Sequence, residues 1–115
     1  MAIEREYLDV AEKLRERTEE GKVNWRDTFD QNTFVTTLER YSFEIRKLRN
    51  AYSLIMKDLG EIELFELDAV QPDPETSPEN DRVHILLENL YSWARRIALN
   101  VDDKVSDIKN FLDKL

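Results

Sequence analysis

The side chains best suited to gripping a ligand are aromatic and basic. Tyr41, Arg46, Lys47, Arg49 and Tyr52 fall close together, and Trp93, Arg95 and Arg96 form a second cluster near the C-terminal end. Arginine beside tyrosine suits a planar, nucleotide-like anion, through bidentate hydrogen bonds and ring stacking, and equally suits a hot spot of a protein interface. The same residues fit a plainer role, in which Tyr41, Tyr52 and Trp93 fill the core and the arginines are solvated.

Other chemistries are limited by count. His84 is the only histidine, which excludes a two-histidine metal site and a paired-imidazole system, and it reads as a residue flanking an apolar stripe. The chain has no cysteine, hence no thiol nucleophile, no disulfide framework and no Cys-ligated zinc. Gly21 and Gly60 are its only glycines, too few for a phosphate cradle. Asp27, Asp30 and Asn32 lack the spacing and closing glutamate of a calcium loop and read as a turn. Carboxylates abound, yet nothing in their spacing separates an acid/base pair from solubilising charge. The expectation is a non-enzymatic chain that needs no cofactor.

Charge points the same way. The 25 acidic against 17 basic residues give a net charge of −8, which disfavours nucleic acid and anionic membrane as partners. The acid is concentrated: from Asp58 to Asp81 come Glu61, Glu63, Glu66, Asp68, Asp73, Glu75 and Glu79 with no Lys or Arg between them. This run reads as a solvated acidic loop beside a charged hairpin. The N-terminus lacks the basic start and apolar run of a signal peptide, and no stretch nears the roughly 18 apolar residues of a membrane span. A soluble, cytoplasmic protein is expected.

The elements that position these residues emerge from periodicity. Ile3, Tyr7, Ala11 and Leu14 make a helical stripe over Ile3–Glu20, stopped by Gly21. Lys22 to Trp25 is a short extended piece and Asp27 to Asn32 a polar bend. The period then becomes two: Phe34, Thr36 and Leu38, next Tyr41, Phe43 and Ile45, next Tyr52, Leu54 and Met56, three strands joined by connections short enough to require antiparallel hairpins. Leu59-Gly60 leads to a fourth strand, Glu61–Leu67, whose alternation fails. A bulge at Leu64-Phe65 would restore one inward face; otherwise the sheet carries apolar residues on both sides.

Ser77-Pro78-Glu79 is a helix start, with a capping hydroxyl, a proline where no donor is needed, and acid at the positive helix end. From Val83 the stripe continues through Leu90, Ala94, Val101, Val105, Ile108 and Leu112 to Leu115 without another Pro or Gly. Roughly 36 residues of helix would span about 54 Å, whereas a compact chain of this size is roughly 35 Å across. Either the helix breaks near Asn100, with Asp102 as a new N-cap, or its last turns project onto another chain. The architecture is α+β, in the order α-β-β-β-β-α, one domain over residues 1–115 with helix packed on one sheet face.

The segments Gly21-Lys22-Val23-Asn24-Trp25, Asn32-Thr33-Phe34 and Ala94-Arg95-Arg96-Ile97-Ala98, followed by Val101-Asp102, resemble a loose group of small bacterial proteins built as helix, meander and long helix. That group carries no assigned function. The resemblance implies a fold and no reaction, and it transfers no site residue.

Two functions remain. Small size, acidity, a missing catalytic kit and open sheet edges favour a protein-interaction module of the immunity, antitoxin or anti-defence kind. The alternative is a binder of a small anion at Tyr41, Arg46, Arg49, Tyr52, Arg95 and Arg96. The apolar C-terminal stripe adds a homodimer through that helix.

Overall fold

The computed structural model describes residues 5–115. The chain runs α1 (Arg5–Glu19), β1 (Arg26–Asp27), β2 (Thr33–Leu38), β3 (Tyr41–Leu48), β4 (Ala51–Asp58), β5 (Glu63–Val70), α2 (Pro78–Ala98) and α3 (Val101–Asp113). It is an α+β fold whose strands form one antiparallel sheet in chain order. The strand beyond the four expected is β1, two residues that pair Arg26 with Val35 and Asp27 with Phe34. It is too short to show a period: Asp27 opens the bend read from the sequence, and Arg26 falls between that bend and the extended piece Lys22 to Trp25.

α1 ends where Gly21 takes a φ of +77° and its N–H bonds to the Thr18 carbonyl at 3.0 Å. Ile3, the first apolar position expected of that helix, lies outside the described residues. The helix is locked to the segment after it: the buried Trp25 indole N–H donates to Thr18 Oγ1 at 3.1 Å, and that hydroxyl donates to the Leu14 carbonyl at 2.7 Å. An indole can be buried at little cost only when its N–H finds such an acceptor.

α2 crosses the whole sheet on one face, and α1 packs beside it and over β5, where Tyr7 stacks on Phe65 at 4.3 Å between ring centroids. Phe34, Ile45, Leu54 and Leu67 from the sheet meet Val83, Leu87, Leu90 and Ala94 from α2 and Ala11 and Leu14 from α1. Among the described residues, no helix covers the opposite sheet face.

The irregular fourth strand is resolved by a bulge at Leu64: Met56 pairs with Phe65, Lys57 with Glu63, and Leu64 is the unpaired extra residue. Phe65, Leu67 and Ala69 then face the helices while Glu66, Asp68 and Val70 face away. The sheet is also apolar in part on its open side, because Ile55 is buried there and Val35 half-buried. The strand runs three residues beyond the expected end, to Val70.

The start of α2 is as expected, with Ser77 Oγ accepting from Asn80 N–H at 3.0 Å and Pro78 in the first turn. The long C-terminal helix does break: Asn100 adopts φ 54°, ψ 46°, the left-handed conformation that Asn tolerates better than most residues. Asp102 is not the new N-cap. Its carboxylate accepts instead from Arg96 Nε at 2.9 Å, and Asn100 occupies the cap position with no side-chain cap bond. Nor do the last turns fold back, since no residue of α3 is buried and the molecule's long axis reaches 56 Å.

Candidate functional site

The residues singled out by type lie in several places. Arg46 sits on the open sheet face, opposite Thr33 and Ser53, and is ion-paired with Glu44. Tyr52 lies on the covered face, where its ring meets His84 edge-on at 5.3 Å and Tyr91 at 5.6 Å. Tyr41 is exposed at the other end of β3, opposite Leu38 and Asp58. Arg96 lies over the Trp93 ring at 5.3 Å while it holds Asp102.

Partial convergence occurs along one side of α2. A hollow of about 210 Å³ brings Arg49 and Tyr52 together with Lys47, His84 and Glu88. A neighbouring one, about 310 Å³, places Arg95 with Tyr91, Asp27 and Asp30. Burial raises the Tyr52 phenol, with Glu88 adding to the effect, and burial likewise raises Tyr91 against the pull of Arg95. Both rings therefore stay protonated and donate rather than abstract at neutral pH. Asp30 is a turn residue, accepting from Asn32 N–H and Thr33 Oγ1 at 2.9 Å each; these bonds hold its carboxyl below the usual range. Among the described residues no group of three His, Asp or Glu side chains is placed to hold a metal ion.

A second constellation lies on the open face, where Arg46 is the one member that stands out by type in the sequence. The register sets Arg26, Val35, Glu44, Ile55 and Glu66 in one row across the strands, and Thr33, Arg46, Ser53 and Asp68 in the next. Acid gathers at the β5 end, where Glu66 and Asp68 are side by side. A hydrogen bond shared with Asp68, then burial and the negative charges of Asp68 and Glu63, push Glu66 up to about 7. Arg46 pulls the other way, and Glu66 on balance keeps its proton to higher pH than an ordinary carboxyl.

β5 is also a sheet edge, and its backbone can be assigned direction. Gln71 N–H reaches the Asn50 carbonyl at 2.8 Å, toward β4, whereas both Val70 backbone groups bond the Asn80 side chain at 3.0 Å, away from β4. Because peptide groups alternate along an antiparallel strand, Glu66 and Asp68 share Val70's outward direction. Asn80 closes the end of this edge, and among the described residues no hydrogen bond reaches the outward groups of Glu66 and Asp68. The other edge is obstructed: β1 pairs with Phe34 and Val35 of β2, and Thr36 Oγ1 donates to the Asn24 carbonyl at 2.7 Å.

The sequence does carry a signal for this constellation, in Phe65, Leu67 and Ala69 alternating with Glu66 and Asp68. It is masked by the bulge, which makes Ile62 and Leu64 look like members of the same period.

Comparison with known protein families, curated proteins and solved structures finds no match for the chain. Among the described residues, no helix is long and apolar enough to cross a membrane.

Proposed function

We propose that the chain is a non-enzymatic interaction module of a bacterial cytoplasm, of the immunity, antitoxin or anti-defence kind, and that it binds a basic segment of a partner protein along β5. The observation that carries this reading is the pairing, on one strand, of outward backbone groups with a crowded acidic face. An added strand would satisfy the backbone, and its lysines or arginines would relieve the repulsion between Glu66 and Asp68. The sheet face behind the edge is mixed rather than acidic throughout, so β5 is where a cation gains most. Self-association through α3 completes the reading, leaving β5 to the partner.

The probe for this site is a peptide of alternating lysine and valine, titrated calorimetrically. Measurable binding is expected, weakening as salt is raised, together with its loss in the double variant Glu66→Lys and Asp68→Lys. Equal binding by the variant would rule out the acidic edge as the docking site. Substituting Arg95 or Arg49 leaves the titration unchanged, because neither is on this face.

A further inference from the structure

α3 is an unsupported helix. Its only substantial contacts among the described residues are with the end of α2, none of its residues is buried, and Val105, Ile108, Phe111, Leu112 and Leu115 are 48 to 87 % exposed. A 13-residue helix is marginal in water on its own, and this one contains two valines, an isoleucine and four aspartates, which are not strong helix formers. Something must cover its apolar stripe.

Val101, Val105, Ile108, Leu112 and Leu115 are spaced four, three, four and three apart, the seam of a two-stranded coiled coil. The residues beside the seam then decide what fits. Asp102 and Lys109 flank one side, Lys104 and Phe111 the other. In a parallel pair Lys104 would face the partner's Lys109, a repulsion made twice over by the two-fold axis. In an antiparallel pair Asp102 faces the partner's Lys109, and Lys104 can lay its methylene stem and charge over the partner's Phe111, each again twice.

Resting on the self-association reading above, we infer that α3 docks on α3 of a second copy of this chain in antiparallel orientation. Val101 packs against the partner's Leu112, Val105 against the partner's Ile108, and Leu115 reaches the partner's Ala98 at the end of α2. An anionic lipid surface is a poorer occupant, because the polar face of α3 is net acidic. The seam is short, so the dissociation constant is expected on the order of micromolar.

Sedimentation equilibrium on the full chain at about 100 µM, well above that constant, tests this. The wild type should be a dimer, and Ile108→Asp a monomer whose near-UV spectrum is unchanged, because α3 lies outside the core. Lys109→Asp should weaken the dimer about tenfold by setting acid against acid, and Asp102→Lys combined with it should restore the dimer. Lys109→Asp is the better single change, since Asp102 also holds Arg96. A wild-type monomer overturns the inference, whether or not α3 binds another protein. A dimer that Lys109→Asp tightens, or one that Leu115→Cys cross-links on oxidation, overturns the antiparallel arrangement. None of these variants touches β5, so peptide binding retained without dimerisation, or the reverse, shows which reading has failed.

Discussion

At the scale of single residues, the acidic edge turns on Glu66. Its carboxyl is raised from an ordinary 4.5 to about 7 in the folded chain. Between those values the folded state holds a proton that the unfolded state has released, so stability falls as pH rises through this window. The contribution is fully present below about pH 4.5 and gone above about 7. Urea midpoints measured at about pH 5 and about pH 7.5 should therefore drop with pH, and Glu66→Gln should flatten the drop. An unchanged slope in that variant would mean that the Glu66 carboxyl is not raised in the folded chain. Trp25 tests the core in the same way: truncation to Ala removes a buried ring and its N–H donation to Thr18, and Leu90→Ala opens a cavity against the sheet. Each should cost about 3 kcal/mol, and midpoints near that of the wild type would contradict the packing.

At the scale of elements, Asn100 is the pivot. Its left-handed conformation is tolerated by Asn and Gly but strains a β-branched residue, so Asn100→Gly should be close to neutral while Asn100→Val destabilises by about 1 to 2 kcal/mol. Thermal melts of the two variants compare them directly. A break here is one of the two readings that the sequence allows, because Asn100 is visible as a stop signal; Asp102, read as the start signal, is not the cap. The course of the chain beyond the break is not legible, since the direction of a helix after one left-handed residue depends on contacts that no local pattern encodes. The hairpins and the α2 cap are legible because each has a local cause: period-two alternation, a serine before a proline, a glycine at a helix end. β5 is only half legible, as Leu64 shifts the period within the strand. The basic cluster groups residues by composition, although parity along the strands already separates them. Arg46 alternates with Ile45 and so belongs to the face opposite Phe43 and the Tyr52 ring.

At the scale of the whole molecule, one sheet face is taken up by the core and, among the described residues, no helix covers the other. The long axis of 56 Å comes from an arm that contributes nothing to that core, and the radius of gyration, 15.8 Å, exceeds the about 13 Å of a compact chain of this length. The proposed binding module draws on both features, the exposed arm for self-association and the β5 edge for a partner. The sharpest test of the β5 interface maps backbone amide exchange by nuclear magnetic resonance, with and without the alternating lysine–valine peptide. The Glu66 and Asp68 amides should exchange fast in the free protein and become protected in the complex, while the Val70 amide, held by Asn80, is slow in both. Protection appearing instead around Arg49, Tyr52 and Arg95, with Glu66 and Asp68 unchanged, would place the binding site on the groove beside α2 and refute the β5 interface.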